Sequence, residues 1–196
     1  MRATPACATV RRRDPGRRKP DVACLGRNPL LALSDFGHRS SVIGHRAKLM
    51  LYFAYGSNME RVWFKRRCPG GKFVSAATLR DYDITFTQSS AMWGGGAADL
   101  KPTPGRVVEG VLWEVGEPDL KALDQYEGVP SDYIRKKLTV ELKDGKPCEA
   151  FAYIVVRPSG YRSPSKRYMR LLVQGAEEHG LSDAYIMRLE AIKTSG

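Results

Sequence analysis

The sequence predicts an α+β domain over residues 50–196, and three observations carry the prediction. The apolar runs are strand-sized. Helical spacing is confined to a few short stretches. The order of elements (strand, helix, several strands, helix, hairpin, two helices) lacks the regular βαβ alternation of a parallel sheet. A chain of 196 residues suits one ordinary domain, and no internal repeat is visible.

Leu51-Tyr52-Phe53-Ala54-Tyr55 is an unbroken apolar and aromatic run, which reads as a buried strand. Gly56-Ser57-Asn58 breaks it, with Asn58 suited to cap a short helix over Met59 to about Arg67. Cys68-Pro69-Gly70-Gly71 ends that helix. Strands are predicted at Phe73–Leu79, Tyr82–Thr87 and Ala97–Lys101, with a loop over Gln88–Gly96 that contains Trp93-Gly94-Gly95-Gly96. Pro102-Thr103-Pro104-Gly105 is turn chemistry. Over Val107–Val115 the residues alternate, Val107, Val111 and Trp113 on one face and Val108, Leu112 and Glu114 on the other.

A short helix is predicted over Glu117–Tyr126, ending at Gly128 as a C-terminal cap. Tyr133–Leu142 and Cys148–Val156 flank Lys143-Asp144-Gly145-Lys146, and Asp-Gly between two alternating runs signals a hairpin. Helices over Ser165–His179 and Ser182–Lys193 complete the domain, with Gly180 between them.

The net charge of +11 invites a nucleic-acid reading, but its distribution argues against one. Residues 1–49 carry a net +8, and residues 50–196 only +3. Runs such as Arg11-Arg12-Arg13 and Arg17-Arg18-Lys19, with interspersed Pro and Gly, predict a basic and disordered extension. Three accounts of it stay open. It is a tail for phosphate backbones, an Arg-rich organelle presequence, or a stretch preceding a translation start at Met50. The intact mass of natively expressed protein distinguishes the last.

No apolar stretch approaches the roughly 20 residues of a membrane-spanning helix, so no membrane partner is expected. Cys7, Cys24, Cys68 and Cys148 form no CxxC pair and no zinc spacing with histidine. Reduced cysteines in the cytoplasm are the simplest expectation.

In Tyr55-Gly56-Ser57-Asn58 a strand runs through a glycine turn into a helix start. Such a turn presents backbone N–H groups to a small anion, and it serves equally as a plain turn and cap. Trp93-Gly94-Gly95-Gly96 offers an aromatic wall with close backbone approach, or simply a loop. Tyr133 and Tyr161 can present hydroxyls to a ligand or close a core. Glu127, at a helix end, has no local feature that raises it above Glu114 or Glu117. With His179 as the one histidine in the domain, a Ser-His-Asp or Cys-His arrangement is disfavoured.

Taken in order, these segments resemble the gamma-glutamylcyclotransferase family. Phe53-Ala54-Tyr55-Gly56-Ser57-Asn58-Met59 is similar to its opening motif. Leu79-Arg80-Asp81-Tyr82, the Trp93-Gly94-Gly95 loop and Gly110-Val111-Leu112-Trp113 fall where its following strands and glycine loop stand. Leu123-Asp124-Gln125-Tyr126-Glu127-Gly128-Val129 resembles the segment carrying its catalytic glutamate. Gln174-Gly175-Ala176-Glu177-Glu178-His179-Gly180-Leu181 resembles its C-terminal helix junction. The resemblance covers residues 50–196 and none of 1–49. Pro130 departs from the more flexible residue expected after Glu-Gly-Val, and Asn58 differs from the bulkier apolar residue usual in a glutathione-specific branch.

The resemblance implies a small mixed β-barrel with peripheral helices. It implies a small-molecule γ-glutamyl substrate that closes on itself to 5-oxoproline, with no cofactor and no metal, and it admits a homodimer. Glu127 would be the catalytic acid and base. Tyr55, Gly56, Ser57, Asn58, Gly95 and Tyr133 would contact the substrate. Two other classes stay in view: a non-catalytic γ-glutamyl-binding module on the same scaffold, and a nucleic-acid binder working through residues 1–49.

Overall fold

A computed structural model describes residues 49–195. The extension predicted over residues 1–49 lies outside the described residues but for Leu49. Five strands close a barrel, β1 (Met50–Ala54), β2 (Lys72–Ser90), β3 (Gly95–Val115), β4 (Tyr133–Leu142) and β5 (Pro147–Val155), in the spatial order β1-β3-β2-β4-β5. Every junction is antiparallel except β1 with β5, which run parallel and meet at Tyr52 and Phe151. The barrel is therefore mixed, and closure removes the free sheet edge.

Four helices lie around it: α1 (Arg61–Lys65), α2 (Glu117–Tyr126), α3 (Lys166–Glu178) and α4 (Asp183–Glu190). None of them is long and apolar enough to cross a membrane. Ser165 and Ser182 cap α3 and α4, each side chain accepting a bond from the backbone three residues on. The predicted 182–193 helix is shorter than expected, stopping at Glu190.

The long β2–β3 ribbon corrects one expectation. The separate strands at 73–79 and 82–87, and those at 97–101 and 107–115, are single continuous strands. The Pro102–Gly105 stretch is a bulge rather than a connection. Residues 103–106 lie opposite the single residue Asp81, which takes a φ of 59°. The Asp81 carboxylate accepts a 2.8 Å bond from the Gly105 N–H, so the bend is held from both strands. Pro104 is tolerated there because the bulge frees its position from the hydrogen-bond ladder.

Both faces of the alternating Val107–Val115 segment carry buried residues: Val108, Val111, Leu112, Trp113 and Val115 are all buried. One side fills the barrel and the other is covered by helices and the preceding turn. Trp113 stacks on Phe64 of α1 at 4.2 Å between ring centroids, tying that helix to the barrel. Each such fully buried large side chain contributes roughly 1.5–3 kcal/mol.

The glycine run also reads differently in three dimensions. Residues 91–94 form the tight turn between β2 and β3, and Gly95 already belongs to β3. A Cβ on Gly95 would sit 2.6 Å from the Ser163 carbonyl oxygen. The absence of a side chain lets the hairpin tip lie flush against the 162–165 backbone, fixed by the Gly96 N–H on Ser163 O at 3.2 Å.

Candidate active site

The site is built where two helix ends meet the mouth of the barrel. β1 delivers Tyr55 into a 3-10 turn, Ser57–Met59, and Gly56 precedes it. Asn58 does not cap α1 as its position suggests. Glu60 does, its carboxylate accepting from Val62 N at 2.9 Å and Trp63 N at 2.6 Å. Asn58 is thereby released to face inward. The Trp113 indole donates to its carbonyl at 3.0 Å. Its amide group donates to Tyr52 Oη at 3.0 Å and to Glu127 Oε1 at 2.9 Å.

Glu127 arrives from the other side. It is the C-cap of α2, directly after Tyr126, and the helix closes there in a Schellman arrangement. Val129 N bonds Asp124 O at 2.9 Å and Gly128 N bonds Gln125 O at 3.3 Å, with Gly128 at φ 65°. Gly128 is required by that positive φ. The motif fixes the backbone of Glu127 and turns its side chain toward Asn58.

A cavity of about 230 Å³ opens beside this pair. Tyr55, Gly56, Ser57 and Asn58 line it, together with Glu127 and Tyr133, so six of the seven predicted contacts converge on one space. Gly95 does not line it. Its lack of a side chain serves the backbone contact with 163–165 instead, and Trp93 of the same loop supplies the wall. Tyr161 is exposed and stands outside, and the His179 ring packs on Phe73 at 4.7 Å, away from the cavity.

Sequence reasoning missed several members. Tyr52, Tyr153 and Tyr168 also reach the cavity. Tyr133 Oη donates to Ala98 O at 3.1 Å, while Tyr168 Oη accepts from Ala98 N at 3.1 Å, so the backbone of one residue orients two phenols. Gly56 makes room for Tyr168, whose oxygen would be 3.1 Å from a Cβ there. Arg67 stands behind Asn58, donating to its Oδ1 at 2.9 Å and lying over the Tyr126 ring at 3.7 Å. The one signal available for Arg67 is its i,i+4 spacing from Trp63, whose ring it also covers.

The electrostatics follow from burial. Desolvation pushes the Glu127 carboxyl up to about 7, against smaller downward pulls from Arg67 and the Asn58 amide. Arg67 makes no ion pair with Glu127 and reaches it only through Asn58. Burial also raises Tyr52, Tyr55, Tyr133 and Tyr168 well above the ordinary phenol range, keeping them neutral hydroxyls near pH 7. The arrangement offers one carboxyl poised between its two protonation states, surrounded by neutral hydrogen-bonding groups. That is the equipment of a general acid and base. Among the described residues, no group of three or more His, Cys, Asp or Glu side chains could hold a metal ion.

Comparison with known proteins supplies context. A family model described as the AIG2-like family matches residues 107–189. The chain is 35% identical over 159 residues to gamma-glutamylcyclotransferase of Homo sapiens, covering 78% of this chain and 83% of that one. It is 33% identical over 157 residues to gamma-glutamylcyclotransferase of Mus musculus, covering 76% and 82% respectively. A solved structure titled gamma-glutamyl cyclotransferase superposes with a TM-score of 0.72 at 31% identity, over 76% of this chain and 90% of the other.

Proposed function

The chain belongs to the gamma-glutamylcyclotransferase family, and from that premise we propose that it cyclises the γ-glutamyl group of a γ-glutamyl amino acid or amine. The products are 5-oxoproline and the released amino acid or amine. One observation carries the reading: a half-buried glutamate with its carboxyl raised to about 7, hydrogen-bonded to Asn58 in a cavity of small-metabolite size.

The reaction is internal to the substrate. The α-amine forms a bond to the γ-carbonyl carbon, and the γ-amide C–N bond then breaks. Glu127 accepts the proton from the attacking nitrogen and returns it to the departing one, so the enzyme ends unchanged. Five-membered ring closure already brings a high effective molarity, leaving proton transfer and charge stabilisation as the protein's tasks. Near pH 7 a carboxyl of this kind can both take and give a proton, which an ordinary exposed glutamate does poorly. Backbone N–H groups of the 55–58 turn would hold substrate oxygens, either the α-carboxylate or the oxyanion of the tetrahedral intermediate. Tyr133 would donate toward the same substrate. The free thiols Cys68 and Cys148 are in keeping with a reducing compartment such as the cytoplasm.

The test incubates the protein with a panel of γ-glutamyl compounds and measures 5-oxoproline by mass spectrometry. Turnover is expected for at least one compound, and its loss in Glu127→Gln. Calorimetric binding across the panel with no 5-oxoproline would favour the alternative of a non-catalytic γ-glutamyl-binding module.

A further inference from the structure

The buried Asn58 side chain has three partners, and their chemistry settles which end of its amide faces which. Arg67 donates to one end at 2.9 Å. A guanidinium carries only donors, so that end is the oxygen. The NH2 end is therefore turned to Tyr52 Oη at 3.0 Å and to Glu127 Oε1 at 2.9 Å. The Asn58 backbone is held separately, by the Trp113 indole on its carbonyl at 3.0 Å. Arg67 is thus the one partner that dictates the orientation, because a hydroxyl and a carboxyl can each face either end of an amide.

Arg67 is itself fixed. It donates a second bond to Trp63 O at 3.1 Å and lies over the rings of Trp63 and Tyr126, at 4.8 and 3.7 Å from their centroids. Tyr126 is the last residue of α2, directly before Glu127. One guanidinium therefore joins the segment after α1 to the helix that delivers the carboxyl. A flipped Asn58 amide would aim Oδ1 at Glu127. An oxygen there repels a carboxylate and accepts from a protonated carboxyl, so the flip would reverse the effect of Asn58 on Glu127.

We propose that Arg67 is a positioning residue that locks the Asn58 amide with its donor end toward Glu127, so that Asn58 favours the ionised, proton-accepting form of that carboxyl. The catalytic consequence rests on the cyclotransferase reading above, and the orientation itself does not. Neutral groups face Glu127 from the other elements. Burial raises the phenols Tyr52 and Tyr55 at β1, Tyr133 of β4, Tyr153 of β5 and Tyr168 of α3, and it pushes the Cys68 thiol up to about 12. Asp132 lines the cavity, and Asp124 of α2 pairs with Arg135 at 3.3 Å. No variant below alters either charge.

The experiment measures the acid limb of the pH–rate profile for the native full chain, Arg67→Met, Asn58→Ala and the double variant. The assay is 5-oxoproline release from a γ-glutamyl compound that the native protein turns over. The Glu127 carboxyl is titrated in parallel by carbon-13 NMR. Arg67→Met should move the limb up by about one pH unit, the scale of one charge-assisted hydrogen bond. Asn58→Ala should raise the limb when Arg67 is present and add no rise when it is absent, because the released amide no longer favours the carboxylate. Arg67→Gln, which accepts as well as donates, takes the place of Arg67→Met if that variant does not fold. A native limb in the Arg67 variant, whatever its kcat, reduces Arg67 to a structural role and overturns the proposal. An equal rise from Asn58→Ala with and without Arg67 overturns it too. Absence of turnover by the native protein sinks the cyclotransferase reading alone, and the NMR titration then decides the orientation by the same two comparisons.

Discussion

Two glutamates stand near the Asn58 turn, one at the start of a helix and one at the end of another. Glu60 opens α1, is almost fully buried, and has two backbone N–H groups aimed at its carboxylate. It also sits at the positive end of the helix dipole. Glu127 closes α2, at the end where the dipole does not help an anion, and receives one side-chain donor from Asn58. The first carboxylate is fully occupied in holding a helix. The second is left short of donors, and burial raises its carboxyl to about 7. The difference teaches that burial alone does not make a carboxylate chemically useful. The number of donors facing it separates a carboxylate held as a strut from one left free to act in the cavity. Asp99 repeats the lesson on the structural side, accepting from Thr87 Oγ1, Leu100 N and Val155 N.

The largest expected effect breaks the comparison at Glu127. Glu127→Gln keeps the shape and the Asn58 contact but removes the titrating proton. A fall in kcat of about 10²–10⁴ is expected with circular dichroism unchanged. An undiminished rate would remove Glu127 from the chemistry. Next comes Asn58→Ala, which deletes the donor to Glu127 and the acceptor of Arg67. Because the Asn58 bond pulls the carboxyl down, its loss should move the acid limb of the pH–rate profile to higher pH. The native limb is expected near pH 7, with activity rising as Glu127 ionises. An unmoved limb would mean that the profile reports another group.

Glu60→Ala tests the opposite side. It leaves the N–H groups of Val62 and Trp63 without their acceptor and should cost about 1–2 kcal/mol of stability, read from denaturant melts. The pH limb of turnover should stay in place, and a shift there would mean that the two glutamates do not divide their tasks as described. The smallest effect concerns stability and pH. A carboxyl raised from 4.5 to about 7 binds an extra proton in the folded state across that window. Folded stability is therefore lost as pH rises from 4.5 to 7, and the deficit persists above 7. Glu127→Gln should relieve it, making the variant more stable than the native protein by about 1 kcal/mol at pH 8, after discounting for water in the open cavity. Equal melting temperatures at pH 8 would argue that the carboxyl is less desolvated than its surroundings suggest.

Legibility varied with the range of the interaction. The hairpin at Asp144-Gly145, the serine caps of α3 and α4, and Gly128 after α2 are read from neighbouring residues, because turn and cap chemistry is settled within a few positions. Asn58 looks like a cap in sequence, but Glu60, two residues later, competes for the same helix start and has the reach to accept two N–H groups. The β2–β3 ribbon looks like separate strands in sequence because Pro102-Thr103-Pro104-Gly105 carries turn residues that the structure uses at a bulge. Gly95 was placed by its motif, and the actual reason for a glycine there is a backbone more than sixty residues away.

By itself, the sequence determined the element order, the serine caps of α3 and α4, the α+β class and the segments that carry the family resemblance. These depend on periodicity and on local backbone chemistry. The tertiary structure alone decided which groups face Glu127. Asn58 meets it across a separation of 69 residues, and Tyr55 reaches the Tyr153 carbonyl across 98. Desolvation and donor count are properties of a neighbourhood in space, and closing the barrel is what assembles that neighbourhood from β1, the start of α1, the end of α2 and the far strands.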